Sequence, residues 1–193
     1  MFKANISREE LNKLPLRQYQ GEVVVIDRQE DLADAFRDIH QHPFVGFDTE
    51  SKPTFVKGDY NHPSLLQIAV PERVYLIRLL KTGMTTEIAD FFQQQQVEKV
   101  GLALHNDISS LQKMRSFEPS AIIDLAPITT EIGIEANGLR KLTALVLGFR
   151  ISKSGQLTNW EAETLAEKQL RYAATDAWVC YEIYQLLRER GKL

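Results

Sequence analysis

The chain has 193 residues, 44% of them hydrophobic and 25% charged, a balance that is ordinary for a globular protein and excludes a disordered or fibrous one. Its formal net charge of −3 provides no overall attraction for nucleic acid, so such a partner would have to be held by local basic groups or metal ions. The single cysteine, Cys180, excludes an internal disulfide and a cysteine-rich zinc site.

Features of export and membrane insertion are missing from the sequence. No run of 18 apolar residues occurs, and residues 1–14 lack the apolar segment of a signal peptide. We therefore expect a cytoplasmic protein with no membrane partner. The length is typical of one domain, so we predict a single domain over residues 1–193.

Strand patterns dominate the first half of the chain and helix patterns the second. The predicted strands cover residues 23–26, 44–50, 65–70, 74–79, 99–104 and 121–123. The first predicted helix has Leu32, Ala33, Phe36 and Ile39 at helical spacing. Further helices are predicted over residues 85–95 and 107–114, in segments between the last strand and residue 147, and over residues 162–190. Between the second and third strands, residues 51–63 have the Pro, Gly and Asn content of a loop. Interleaved strands and helices predict an α/β fold, with a mixed central β-sheet packed by helices on both faces.

Two acids, Asp48 and Glu50, close the apolar run 44–47. If this run is a buried strand, acids at positions i and i+2 point to the same side, roughly 7 Å apart. Such carboxylates repel each other unless a cation lies between them. The alternative is a strand end with solvated acids, but the apolar run favours a divalent-metal site and a metal-dependent phosphodiesterase.

The junction after the fifth strand carries His105, Asn106 and Asp107. Asn106 or Asp107 could simply cap the following helix, which is the commoner use of such residues. His105 could bind a metal, but a histidine at a strand end more often packs or forms a hydrogen bond, so it is not a candidate ligand here. Taken alone, this junction is a weak signal.

In the last helix, Tyr172 and Asp176 are four residues apart and therefore share one face. They could be an exposed pair. The small residues 173–175 between them instead favour close approach of this face to another element. Ahead of the helix, Trp160 is expected to pack its loop against the core.

These motifs, in this order and spacing, resemble the three exonuclease motifs of the DEDD superfamily of 3′→5′ exonucleases. The matching patterns are Asp48-x-Glu50, Asn106-Asp107-x-x-x-Leu111 and Tyr172-x-x-x-Asp176. With a tyrosine four residues before the last Asp, the third motif resembles that of the DEDDy subgroup. Residues 64–70, 145–148, 159–160 and 172–177 resemble the Werner-syndrome exonuclease domain, with RNase D as the next relative, and the resemblance covers about residues 22–190.

The resemblance implies a ribonuclease H-like fold and a two-metal mechanism using Mg²⁺ or Mn²⁺. Asp48 would bridge two ions, Glu50 and Asp176 would complete one site, and Asp107 would hold the second ion mainly through water. Tyr172, aided by Glu50, would orient the attacking water, and the products would be nucleoside 5′-monophosphates. Asp48, Glu50, Asp107, Tyr172 and Asp176 are thus the expected catalytic residues, and the four acids among them the metal ligands.

The resemblance also implies that the partner is the 3′ end of DNA or RNA. A Werner-type DNA exonuclease is the leading expectation, and an RNase D-type enzyme that trims RNA is its near rival. A catalytically idle nucleic-acid-binding domain is disfavoured, because all four acids and the tyrosine are present. Lys52, Lys57 and Arg150 could meet phosphates, although scattered basic residues are usually only solvated. Oligomeric state stays open.

Overall fold

A mixed sheet forms the centre of the computed structural model, which describes residues 2–55, 60–136 and 138–193. Within these residues, the strands are β1 (Glu22–Ile26), β2 (Phe44–Ser51), β3 (Pro63–Ala69), β4 (Arg73–Arg78), β5 (Glu98–Gly101) and β6 (Ile122–Asp124). Their order across the sheet is β1-β4-β3-β2-β5-β6. Strand β3 is antiparallel to β2 and β4, whereas the pairs β1/β4, β2/β5 and β5/β6 are parallel.

Helices cover both faces of this sheet. In the described part of the chain they are α1 (Arg8–Lys13), α2 (Leu32–Ile39), α3 (Leu79–Thr82), α4 (Thr86–Gln93), α5 (His105–Met114), α6 (Leu125–Glu131), α7 (Leu139–Leu147) and α8 (Glu167–Glu189). None of them is long and apolar enough to cross a membrane. The predicted α/β class, with a mixed sheet and helices on both faces, is confirmed.

Two apolar layers hold the helices to the sheet because successive strand residues point to opposite faces. On one face Phe47 packs edge-to-face on Phe92 of α4, with ring centroids 5.5 Å apart. On the other face Phe44 stacks on Tyr181 of α8 at 4.8 Å. Burying each such side chain contributes about 1.5–3 kcal/mol, so both layers stabilise the sheet from which the candidate site projects.

Most predicted elements are found, with boundaries shifted by one to three residues. Helix α2 buries Leu32, Phe36 and Ile39 as predicted, but Ala33 is exposed and Ala35 takes the buried position. Thr85 caps α4, its hydroxyl accepting from the Ile88 backbone N–H at 3.3 Å. The loop predicted over 51–63 is found in part: its ends belong to β2 and β3, and residues 56–59 lie outside the described ones.

The prediction that the last helix begins at residue 162 was wrong. Helix α8 begins at Glu167, and Ala166 before it has an extended backbone with ψ of 151°. The preceding turn is fixed from outside, because the guanidinium of Arg78 donates to the backbone carbonyls of Ala162 and Glu163. These carbonyls therefore bond to a side chain rather than entering a helical ladder.

The predicted extension of the fifth strand to residue 104 was also wrong. Strand β5 ends at Gly101, and Ala103 takes a left-handed conformation with φ of 59°. The carboxylate of Asp124, at the end of β6, accepts hydrogen bonds from the Ala103 and Leu104 N–H groups at 2.9 and 3.1 Å. This turn ends the strand early and directs the chain into α5.

The N-terminal segment folds as an ordered arm for which no element was predicted. Ser7 caps α1 by accepting from the Glu10 N–H at 3.1 Å, and the Glu10 carboxylate accepts from the Ser7 N–H at 2.9 Å. Beyond α1, the arm is bonded to the chain after α7: the Arg17 N–H donates to the Arg150 carbonyl, and the Arg150 N–H donates to the Pro15 carbonyl, both at 2.9 Å. The arm therefore lies beside α7.

Candidate active site

The alternation of β2 decides which side chains meet α8. Phe44, Gly46, Asp48 and Glu50 share the α8 face of the strand. At Gly46 a Cβ atom would lie 2.1 Å from the Ala177 carbonyl oxygen, so only glycine allows the helix to approach this closely. The close approach at Gly46 brings the next two residues of this face, both acids, alongside the N-terminal half of α8.

Helix α8 supplies Tyr172 and Asp176 to the same place. Both side chains line one cavity with Asp48 and Glu50. Asp176 is only 7% exposed, and Ala173 is fully buried beside it. The close contact expected from the small residues in this part of the helix is therefore present.

Asp107 approaches from the other direction. It lies in the first turn of α5, which begins just beyond β5, the strand that pairs in parallel with β2. The Thr49 hydroxyl donates to one Asp107 carboxylate oxygen at 2.5 Å. Asp107 is therefore held behind Thr49 and does not line the cavity itself. Thr49 connects it to β2, the strand that carries Asp48 and Glu50.

Crowding of acids shifts their protonation. Burial, followed by the charges of Asp176 and Asp107, raises the pKa of Asp48 well above its ordinary value. Burial and then the charge of Asp48 raise the pKa of Glu50 to about 10. Burial raises the pKa of Asp176 to about 7, and the Tyr172 hydroxyl acts in the opposite direction. The cluster therefore holds negative charge poorly without a counter-charge.

Two further groups also have raised pKa values. Burial raises the pKa of Asp107, against the opposing effect of the Thr49 hydroxyl. Burial, then the charges of Asp176 and Glu50, raises the pKa of Tyr172 far above that of a free phenol. At neutral pH Tyr172 is thus a protonated hydroxyl that can donate a hydrogen bond.

The donor set fits a hard divalent cation. It consists of carboxylate oxygens, which Mg²⁺ and Mn²⁺ prefer, and a cation would relieve the repulsion that raises the pKa values of these acids. No three His, Cys, Asp or Glu side chains in the described ranges are already arranged around one cation position. The acids thus offer the oxygen donors of a cation site, while Asp107 is hydrogen-bonded to Thr49.

Two residues that the sequence reasoning missed, Gly155 and Asp124, support the tyrosine and the α5 acid. Gly155 packs directly on Tyr172, and a Cβ there would lie 2.3 Å from the Tyr172 Cγ atom. Asp124, by fixing the turn before α5, sets the position of Asp107. Trp160 is fully buried with its ring 6.1 Å from that of Tyr172, as expected for a residue that packs its loop down.

The cavity has a volume of about 690 Å³ and carries opposite charges on its walls. Asp48, Glu50 and Asp176 line it from β2 and α8. The basic residues Arg8, Arg140, Lys141 and Lys153 line it from α1, from α7 and from the loop after α7. The sequence reasoning did not identify these four residues, since their proximity depends on how α1 and α7 pack.

The basic residues considered from sequence have other roles where the structure describes them. Lys52 pairs with Glu161 at 3.1 Å, and the Arg150 side chain donates to the Leu14 carbonyl at 3.1 Å. Lys57 lies outside the described residues. Of the five expected site residues, Asp48, Glu50, Tyr172 and Asp176 line the cavity, and Asp107 adjoins it through Thr49.

Comparison with known proteins agrees with this geometry. Residues 23–192 match the model of a family described as 3′-5′ exonuclease. An exonuclease mut-7 homolog of Aedes aegypti is 30% identical over 201 residues, which cover 91% of this chain and 28% of that protein. A ribonuclease D of Gluconacetobacter diazotrophicus is 30% identical over 172 residues, which cover 86% of this chain and 42% of that protein.

A solved structure shares the fold over nearly its full length. The crystal structure of the Aedes aegypti Nibbler EXO domain superposes with a TM-score of 0.81 at 28% identity, covering 90% of this chain and 92% of that one. The chain thus corresponds to a whole exonuclease domain in that structure. It spans less than half the length of the curated relatives described above.

Proposed function

The chain belongs to the 3′-5′ exonuclease family, and from this premise we propose that it is a metal-dependent enzyme that releases nucleoside 5′-monophosphates from the 3′ end of a nucleic acid. The observation that carries the proposal is the convergence of Asp48, Glu50 and Asp176 beside the Tyr172 hydroxyl in one cavity. The proposed active unit is one domain over residues 1–193.

Asp48, Glu50, Asp107 and Asp176 are the proposed ligands of two divalent cations, Mg²⁺ or Mn²⁺. When bound, such ions supply an activated water and stabilise the negative charge on the leaving 3′ oxygen. The four acids come from three elements whose positions are fixed by packing. The backbone positions of these acids are therefore set by the fold.

The proposed role of Tyr172 is to orient the attacking water. Its raised pKa keeps the hydroxyl protonated, so it can hold a water by hydrogen bonding without becoming charged. Glu50 would share this role from β2, the strand that faces α8. Gly155 leaves the Tyr172 ring the space that it occupies beside the cavity, which a Cβ atom would take.

The choice between DNA and RNA defines a second candidate. The Werner-type resemblance of the motifs favours DNA. A relative named ribonuclease D, at 30% identity over most of the chain, favours an enzyme that trims RNA. Discrimination would depend on contacts to the sugar 2′-hydroxyl.

Degradation of 5′-labelled single strands tests the proposal. Matched DNA and RNA oligonucleotides are incubated with Mn²⁺, with Mg²⁺ and with a chelator. We expect a ladder that shortens from the 3′ end, mononucleotide products, and no activity with chelator. Cleavage of a circular strand, or full activity with chelator, would contradict the proposal, and the faster of the two matched substrates identifies the preferred sugar.

A further inference from the structure

The basic part of the cavity wall is assembled from three segments. Arg8 comes from α1, Arg140 and Lys141 from the first turn of α7, and Lys153 from the loop that follows α7. All four line the cavity that contains the catalytic acids. Positive charge is thus concentrated in one place on a chain whose net charge is −3.

These four cations differ from the nine Lys and Arg residues that form ion pairs elsewhere in the described parts of the protein. Lys13 pairs with Glu9, and Lys81 pairs with Glu163, each at 2.6 Å. Over residues 2–55, 60–136 and 138–193, no carboxylate lies within ion-pair distance of the four cations of the cavity wall.

Arg140 shows the same lack of partners inside the wall. It donates only weakly to the Asn12 side chain, at 3.4 Å, and its Nε atom is buried with no partner in the described structure. A buried donor without an acceptor costs free energy, so an anion that supplied the acceptor would be bound favourably.

The neighbouring acids do not act as counter-ions for this wall. Within the described residues, no ion pair joins Asp48, Glu50 or Asp176 to any of the four cations. The acids and the cations are therefore far enough apart to serve different groups of one ligand. A ligand that brings a cation-bound phosphate to the acids and further phosphates to the wall would satisfy both.

The N-terminal arm is what completes the wall. The match to the exonuclease family begins at residue 23, so α1 and Arg8 lie outside it. The arm is nevertheless anchored: Leu11 is 5% exposed and packs with Ala144 of α7. Backbone hydrogen bonds between residues 15–17 and Arg150 fix its far end. Arg8 is thus held at the cavity by a built element.

We propose that Arg8, Arg140, Lys141 and Lys153 form a phosphate-binding wall for the substrate strand on the 5′ side of the scissile phosphate. The inference rests on the proposed function, because a strand whose 3′ terminal nucleotide lies at the acids must continue in the 5′ direction. Guanidinium and ammonium groups bind backbone phosphates irrespective of base. The wall therefore recognises a polynucleotide by its phosphates.

Two substrates separate the wall from the catalytic acids. The first is a 5′-labelled, 12-nucleotide single strand, used as DNA and as RNA. The second is the p-nitrophenyl ester of thymidine 5′-monophosphate, which has one phosphodiester and cannot reach the wall with a second phosphate. Each is assayed with Mn²⁺ between 50 and 200 mM salt.

The test variant is Arg8→Ala/Lys141→Ala, and the matched control is Lys13→Ala. Lys13 is on the same helix as Arg8 but is exposed and paired with Glu9. For the single strand we expect the slope of log kcat/KM against log salt to become shallower by about 1.4, at about 0.7 for each phosphate that the protein no longer neutralises. We expect kcat/KM for the single strand to fall on the order of tenfold, mainly through a higher KM. This fall should be at least about five times larger than the fall in kcat/KM for the ester.

Binding measured without catalysis distinguishes the two proposals. Fluorescence anisotropy of the same strand is recorded with chelator, for the wild type and both variants. If the wild type hydrolyses neither substrate, the proposed function fails, while weaker binding by the double variant still supports the wall. If the double variant and Lys13→Ala have the same slope and the same Kd, the wall is overturned even when hydrolysis is normal.

Discussion

Phe47 and Asp48 are adjacent in β2 but contribute to regions of opposite character. Phe47 points into an aromatic layer with Phe92, where it is fully buried. Asp48 faces α8 and the other acids, and its burial raises its pKa. The first region stabilises the fold by apolar packing, whereas the second carries electrostatic repulsion that protonation or a bound cation relieves. The comparison shows that one strand can stabilise the fold through one face and destabilise it through the other.

The largest expected effect comes from removing the central acid. Asp48→Ala should lower kcat/KM for a labelled strand by about 10³-fold or more, since a metal ligand contributes several kcal/mol to transition-state stabilisation. Weaker Mn²⁺ binding, measured by calorimetry, should accompany it. Asp34→Ala, which removes an exposed acid paired with Arg37, is the control and should retain activity. Full hydrolysis by Asp48→Ala would refute the assignment.

The next prediction compares the contributions of the two faces of β2 to stability. Phe47→Ala should lower the free energy of unfolding by about 3–5 kcal/mol, because it leaves a cavity in a tightly packed layer. Asp48→Asn should instead raise the free energy of unfolding of the metal-free protein, because it removes a repelling charge. Urea unfolding in the presence of chelator measures both. Destabilisation by Asp48→Asn would show instead that favourable contacts in the folded state already balance the negative charge of Asp48.

A smaller effect on turnover is expected at the tyrosine. Tyr172→Phe should lower kcat by about 10²-fold, the scale of losing the positioning of a reacting group, with Mn²⁺ affinity largely retained. Single-turnover assays and calorimetry separate the two quantities. Gly155→Ala should reduce kcat in the same direction, because its Cβ would collide with the Tyr172 ring. An equal loss of metal affinity in Tyr172→Phe would assign the residue to the metal site instead.

The smallest expected effect is a pH-dependent shift in melting temperature. The carboxyl pKa values are raised in the folded state above those of the unfolded chain, about 3.9–4.3, so the metal-free fold loses stability as pH rises from about 4 through 7 for Asp176 and towards 10 for Glu50. Divalent cations should restore it. Mn²⁺ should therefore raise Tm by a few degrees more at pH 8 than at pH 5. The same shift at both pH values would contradict this mechanism.

The strands of the sheet, and the faces on which Asp48, Glu50, Tyr172 and Asp176 lie, could be derived from the sequence because each lies within a clear local pattern. Alternation along β2 and four-residue spacing in α8 assign faces without knowledge of the rest of the fold. The start of α8 could not be derived in this way, because it depends on Arg78 binding the carbonyls of Ala162 and Glu163 from a distant strand.

The arm and the wall illustrate the same limit. Helix α1 had a readable signal, since Ser7 and Glu10 have the spacing of a capping box. Its contribution to the cavity had none, because Arg8 and Lys141 are far apart in the chain and meet only when α1 packs on α7. Positions that depend on the packing of one helix on another cannot be found from spacing alone.

Gly46 has no functional group, yet the distance between strand and helix depends on it. Any larger residue would push the helix backbone outward at the Ala177 carbonyl. Such a change would move Tyr172 and Asp176 on the helix away from Asp48 and Glu50 on the strand, although all four residues would still be present. Loss-of-function substitutions are therefore expected at a position that an inventory of acids and hydroxyls would overlook.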